Sequence, residues 1–318
     1  MAEPEYDRRM ARDFHEALAA APWVIVGCGY SGERLAARVL REGGTVTVTR
    51  RSEAEAHAVS SRLGGGEAVA LDLREPGSLS SLAEAISPGA IVVDSVPPGD
   101  DGGEGERSLA RACAKARARR LVYLSSTGVY GPGEGAWVDE DTPTGPASER
   151  GRRRLTAESA VLDEAAARGL SAVAIRIAAI YGPGRGVHER LRAGTYRIVG
   201  AGDAYVSRVH VDDLVAAILA AGTADALSRQ VYTLADDTPM PSRRFAEEVA
   251  KIMDLAPPPA VPAEDVDPGV RAMFAADRKV SSRRLQEELG LRLRYPNGLD
   301  GVRAALAAAL ASSARRPA

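Results

Sequence analysis

The chain has 318 residues, 45% of them apolar and 26% charged, a globular composition long enough for one large α/β domain with an appended lobe. Its net charge of −2 gives no general attraction to nucleic acid or to an anionic membrane. Two cysteines, Cys28 and Cys113, exclude a disulfide framework and a cysteine zinc site, and suit a reducing cytoplasm.

Residues 5–20 predict an amphipathic helix; its mixed acids and bases, with no apolar stretch, do not read as a signal peptide. "WVIVGCG" is then a buried strand running into glycines, and "SGERLAARVLREG" a helix closed by glycine. "TVTVTRR", "EAVALDL", "AIVVDSV", "RRLVYLSS" and "LSAVAIRIAAIYG" predict five further strands, with helices between them at about 53–63, 78–87, 105–118 and 149–169. Strands alternating with helices imply a Rossmann-type, doubly wound parallel sheet. After Tyr181 the rhythm changes. A glycine-rich loop, a short helix, a hairpin-like stretch and another helix precede "QVYTLAD", which suits a last sheet strand. The remaining helices, separated by the proline-rich "APPPAVPAEDVDPG", predict a small C-terminal substrate lobe at the edge where open α/β sheets bind ligands. The expected division is an extra helix over 1–20, a dinucleotide-binding domain over 21–181 with 209–236 returning to it, a lobe from 182–208 and 237–310, and a frayed tail over 311–318. No apolar run reaches transmembrane length, and His15, His57, His188 and His210 lack the spacing of a metal site.

Gly27, Gly29 and Gly32 form a G-x-G-x-x-G between a strand and a helix, the context in which it holds a dinucleotide. The first glycine permits the tight turn, the second lets backbone approach a pyrophosphate, and the third lets helix pack on strand. An S-adenosylmethionine-dependent methyltransferase has a similar turn and is the rival reading. An NAD protein carries an acid at the end of the second strand to grip the ribose hydroxyls. Here Thr49, Arg50, Arg51 and Ser52 stand there, two guanidiniums and two hydroxyls that suit a 2′-phosphate and favour NADP over NAD. Asp72, after the third strand, is either an acceptor for the adenine amino group or an ordinary loop acid.

"YLSSTGVYG" after the fifth strand and "IYGPGRG" after the sixth, with the glycine turn, "TPTGP" and "HVDDLVAAI", resemble the NAD-dependent epimerase/dehydratase family, the extended short-chain dehydrogenases/reductases. The resemblance runs from about Trp23 to Tyr295 and leaves the methyltransferase reading little room. It implies a nicotinamide cofactor, a small-molecule substrate and a homodimer built on the helices near 105–118 and 149–169. It also implies that Ser126 hydrogen-bonds the substrate oxygen, with Ser125 near the cofactor. The family's acid/base tyrosine and its lysine one turn later are absent. Aligned on "LTAE", Arg150 stands at the tyrosine position and Arg154 at the lysine position, and no tyrosine lies between Tyr130 and Tyr181. Arg154 suits the lysine's positive charge and ribose contact; Arg150 cannot exchange protons near neutrality. The glycine turn departs as well, because Val26 occupies the place of the family's usual first glycine.

The expected cofactor contacts are Gly27, Gly29, Tyr30, Ser31, Gly32, Arg50, Arg51, Asp72, Ser95, Ser125 and Arg154, and the expected catalytic groups are Ser126, Arg150 and Arg154. Proton donors to consider are Ser126, Tyr130, Tyr181, His188, Tyr205 and a bound water, with Tyr130 and Tyr181 more readily structural and His188 more readily a surface residue. Asp212 and Asp213, following His210, fit as capping acids at a helix start. Arg185, Arg190, Arg192 and Arg208 cluster in the presumed lobe, by default as solvated loop arginines, alternatively for a phosphate, a sugar nucleotide or a carboxylate. Two functions remain open: an NADP-preferring epimerase, dehydratase or reductase of atypical mechanism, or a non-catalytic NADP(H)-binding sensor.

Overall fold

A computed structural model of the chain describes residues 17–314. Seven strands, β1 (Trp23–Val26), β2 (Val46–Arg50), β3 (Glu67–Ala70), β4 (Ile91–Asp94), β5 (Arg120–Ser126), β6 (Ala172–Ile177) and β7 (Val231–Leu234), form one parallel sheet in the order β7-β6-β5-β4-β1-β2-β3. Strand order reverses between β1 and β4, which opens a crevice at their carboxyl ends. The central strands are runs of valine, isoleucine and leucine because helices cover both their faces. Helices α1 (Tyr30–Arg41), α2 (Glu53–Leu63), α3 (Leu79–Ala85), α4 (Glu104–Lys115) and α5 (Glu149–Ala167) alternate with them. Local chemistry sets their ends: Ser52 Oγ accepts the Glu55 N–H at 3.3 Å to start α2, and Gly64, at φ +73°, stops it.

By contact, the chain divides into two compact units. The first holds the chain up to Ser125, Arg153–Ile175 and Val215–Val231; its core packs Leu82, Leu109, Cys113, Ala157, Val161 and Ala165 against Val24, Val92, Leu121 and Tyr123. The second holds Ser126–Arg152, Arg176–Leu214 and the chain from Tyr232. Its helices are α6 (Val187–Arg192), the first turn of α7 (Val211–Thr223), α8 (Ser242–Ile252), α9 (Pro268–Phe274), α10 (Arg283–Leu289) and α11 (Gly298–Ala314). Tyr181, Leu191, Tyr196, Ile198, Phe245, Val249 and Val302 form its core. The sequence division kept 126–152, 176–181, 209–214 and 232–236 with the first domain, whereas contacts group them with the second unit. Hydrogen bonds explain the grouping of 126–152: Arg278 donates to Gly131 O at 2.8 Å, and Glu140 Oε1 accepts from Thr233 N and Oγ1, both at 2.8 Å.

Other expectations change in detail. The predicted sixth strand is broken at Ala178, whose N–H bonds Leu234 O, so that Ala179–Tyr181 pairs separately with Arg208–His210. The hairpin-like stretch is no hairpin: Ile198–Val199 pairs with Ala260–Val261 and Tyr205–Val206 with Met240–Pro241. The last helix runs beyond Leu310 to Ala314. Residues 17–20 are helical, and the rest of the predicted N-terminal helix lies outside the described residues.

Buried Arg120 stitches the first unit. Its guanidinium donates to Ser171 Oγ at 3.0 Å and to the carbonyls of Ala221 and Ala224, both at 2.7 Å, taking up acceptors that the end of α7 leaves open. Arg120→Ala should lower the unfolding free energy by about 2–4 kcal/mol, because buried carbonyls lose a charged donor; urea denaturation reads it.

Candidate dinucleotide site

The turn between β1 and α1 has the geometry its sequence requires. Gly27 adopts φ +74°, and a methyl group there would meet Val96 Cγ2 at 2.7 Å. A methyl at Gly32 would meet Ile25 Cγ2 at 3.0 Å, so α1 packs directly on β1. At Gly29 the space is open: nothing stands closer than Arg50 Nη1 at 3.6 Å. The three glycines thus separate into turn, approach and packing roles, and the open direction at Gly29 fits a pyrophosphate at the start of a helix. Cys28 is fully buried beside it, and burial pushes its thiol up to about 12.

Arg50 extends from β2 to this turn and donates to Cys28 O at 3.4 Å, with Glu55 4.0 Å away. Arg51 is exposed beside it, and Arg34 stacks over the Tyr30 ring at 3.7 Å. Ser31 is half-buried in the first turn of α1. Asp72 is engaged by Arg74, whose Nε donates to it at 2.9 Å; that hydrogen bond holds its carboxyl down at about 2. Ser95 Oγ donates to Gly27 O at 2.7 Å, fastening the end of β4 to the glycine turn.

Behind this turn lies a polar cluster. Arg154 points inward: its Nη1 donates to Leu124 O at 2.8 Å and Tyr123 Oη at 3.1 Å, and reaches Val96 O at 3.5 Å. One helical turn on, buried Glu158 accepts the hydroxyl proton of buried Ser125. Asp94, ending β4, is wholly buried; Oδ1 accepts the Val96 N–H at 3.0 Å and Oδ2 has no hydrogen-bond partner among the described residues. Burial, with the Glu106 carboxylate nearby, pushes Asp94 up to about 7, and burial likewise raises Glu106. Sequence reading passed over both acids. The signal was there: Asp94 closes an otherwise apolar strand, and Glu106 lies three, four and seven residues before Leu109, Ala110 and Cys113, on their buried face.

In the second unit, Ser126 Oγ accepts the Gly128 N–H at 3.1 Å, leaving its own proton available to donate. Gly151 abuts Gly128 O backbone to backbone, and Ser148 Oγ accepts the Gly151 N–H at 3.1 Å. This contact brings the start of α5, and Arg150 with it, alongside the Ser126 turn; Arg150 is exposed. Tyr130 is structural: its hydroxyl donates to Asp139 O at 2.7 Å and accepts from buried Arg176 at 2.9 Å. Tyr205 is half-buried, with Lys279 Nζ 4.4 Å from its ring centroid. His188 is no surface residue; it is fully buried, because the Gly186 turn folds over its ring, and burial lowers its pKa. Tyr181 is buried against Gly301, which raises its pKa, and its hydroxyl has no hydrogen-bond partner among the described residues.

Of the lobe arginines, Arg185, Arg190 and Arg192 are exposed as expected, and Arg208 is not. Arg208 is buried over the Phe245 ring and donates to Val206 O at 2.6 Å; burial lowers it to about 10. Arg192 pairs with Glu189 and Arg190 lies over Tyr196. Asp213 does not cap its own helix: it accepts the N–H groups of Arg294 and Tyr295, at 2.6 and 3.1 Å. Asp236, buried near Arg208, is pushed up to about 7 by desolvation.

A parallel doubly wound sheet with this turn at the β1–α1 junction defines a dinucleotide-binding α/β protein. The chain belongs to the NAD dependent epimerase/dehydratase family, whose model matches residues 23–235. It is 29% identical over 212 residues to a 3-diazoavenalumate denitrifying reductase from a Streptomyces species, a match covering 63% of this chain and 69% of that one. Other curated relatives match over 25–55% of their own length. A functionally unknown conserved protein from Silicibacter pomeroyi DSS superposes with a TM-score of 0.78 at 32% identity, over 91% of this chain and 99% of that one. MoeE5, solved in complex with UDP-glucose and NAD, shares the fold with a TM-score of 0.74 at 22% identity, over 92% and 99% of the two chains. Among the described residues no helix is long and apolar enough to cross a membrane.

Two tests follow from this geometry. Gly27→Ala should destabilise the protein by about 1–3 kcal/mol, through left-handed backbone and the clash with Val96, whereas Gly29→Ala should leave the melting temperature nearly unchanged and weaken dinucleotide binding. Differential scanning fluorimetry and a dinucleotide titration separate the two. The raised acids set a pH dependence of folding. The unfolded chain ionises near 3.8 while folded Asp94 and Asp236 hold their protons up to about 7. Stability from these groups is therefore full below about pH 4, declines as pH rises through 7 and then levels off. Denaturation at stepped pH should show that decline, reduced in Asp94→Asn.

Proposed function

We propose that this protein is an NADP-preferring member of its family that catalyses hydride transfer, in a reduction, epimerisation or dehydration, on a small polar or sugar-like substrate. The observation that carries the cofactor preference is Arg50, drawn against the open side of Gly29 on a strand that ends without an acid. With Arg51 it offers two guanidiniums to a 2′-phosphate. A bound nicotinamide dinucleotide supplies the hydride donor or acceptor. The reductase relative and the sugar-nucleotide ligand of the MoeE5 complex support this range of chemistry.

In this reading the Ser126 hydroxyl donates a hydrogen bond to the substrate oxygen and keeps its proton, and Arg150, at the exposed start of α5, offers positive charge to that oxygen as negative charge develops there. The guanidinium keeps its proton, so water delivers the proton that a tyrosine would otherwise supply. Arg154 keeps part of the lysine's office by placing a fixed cation behind the ends of β4 and β5. A second reading, a non-catalytic dinucleotide sensor, is favoured by that inward turn of Arg154, whose Nη1 serves the protein's own carbonyls.

Arg50→Ala combined with Arg51→Ala should weaken NADP+ binding far more than NAD+ binding in calorimetric titration; equal losses would refute the phosphate assignment. Ser126→Ala should lower kcat by about 10²–10³ while leaving cofactor affinity near wild type. Hydride transfer followed at 340 nm across a panel of sugar nucleotides and small carbonyl compounds tests the enzyme reading, and binding without turnover across the panel favours the sensor.

A further inference from the structure

The buried cluster behind the glycine turn holds three acids, Asp94, Glu106 and Glu158, and one base, Arg154; Glu158 accepts from Ser125, while Glu106 and Arg154 are the charges acting on Asp94. Asp94 is the register partner of Val26, the residue before Gly27, and it holds the Val96 N–H whose side chain covers Gly27. The groups facing it come from each neighbouring element: Tyr123 from β5, Glu106 and Cys113 from α4, and Arg154 from α5. β1 contributes only the apolar Val26. Asp101 and Arg107 act in turn on Glu106. Cys113 and Tyr123 are raised by burial and stay neutral. Ionising Asp94 adds one negative charge to a dry interior that already holds the Glu106 carboxyl and a single guanidinium, that of Arg154.

We propose that Asp94 and Glu106 form a charge-setting pair beneath the dinucleotide turn, so that affinity for the anionic dinucleotide falls as Asp94 loses its proton. The proposal rests on dinucleotide binding by the first unit. The ionised pair lies where solvent screens little, close to the turn that receives a diphosphate. Linkage makes the effect reciprocal: a bound diphosphate holds the proton on Asp94 more tightly. Every group involved acts through the field at the turn, so these are positioning residues with no contact to the reacting atoms.

The probe is NAD+, which lacks the 2′-phosphate and its own titration in this range. Its dissociation constant, measured by calorimetry from pH 5.5 to 8.5, should rise by roughly three- to tenfold in the wild-type protein, one pKa unit of coupling being tenfold. Asp94→Asn should remove the dependence and bind NAD+ more tightly than wild type at pH 8.5, a gain that damage to the fold does not produce. Glu106→Gln should move the midpoint to lower pH by removing the neighbouring charge, and it decides the matter should Asp94→Asn fail to fold. A flat wild-type profile, an Asp94→Asn profile matching wild type, or an unmoved Glu106→Gln midpoint overturns the proposal and leaves dinucleotide binding standing. Absence of binding of both NAD+ and NADP+ at every pH overturns both.

Discussion

The dinucleotide end of this protein depends on a single close approach, that of Gly27 to Val96. Two strands neighbouring in the sheet but distant in sequence end side by side, and the turn leaving one must pass over the backbone leaving the other. Only a residue with no side chain and a left-handed backbone fits. Ser95 locks the approach with a hydroxyl donated to Gly27 O, and Asp94 holds the Val96 amide from beneath. The start of α1, and with it the position of Gly29, follows from this arrangement. The missing upstream glycine matters little by comparison, because Val26 lies within β1, fully in the core.

The replacement of lysine by arginine changes more than a charge. A lysine ends in one compact ammonium, whereas a guanidinium is a planar fork that bonds several acceptors at once. Arg154 uses Nη1 on Leu124 O, Tyr123 Oη and Val96 O. It thereby joins the ends of β4 and β5 to α5 and sits as counter-charge to two buried acids. Such a network is costly to break and cheap to keep, since each buried charge would otherwise lie in low dielectric without a partner.

Much of this was legible in the sequence. Five of the six strands before Tyr181 stand as single strands where the alternation placed them, and the sheet's last strand is the "QVYTLAD" segment. Gly27 and Gly32 could be read one by one because each answers a separate steric demand, while Gly29 faces open space. Burial of polar groups was not legible. His188 read as a surface histidine, and the Gly186 turn that encloses it is a tertiary event with no periodicity of its own. Arg208 read as a loop cation and is buried over Phe245, a contact across 37 positions of sequence. Short strands such as Ile198–Val199 pair with segments some sixty residues away, so a local pattern resembling a hairpin had no means of revealing its partner.

The seating of α5 has a consequence for how this site can change. Its first turn is fixed by Gly151 on the Gly128 carbonyl and by the Ser148 hydroxyl, all backbone or near-backbone contacts. The side chain at position 150 therefore carries no packing duty. A lineage can exchange the residue there for another without first repairing its core, and a protein engineer inherits the same freedom. New chemistry at this position is separated from the present sequence by single substitutions, while the fold that would present it is already paid for.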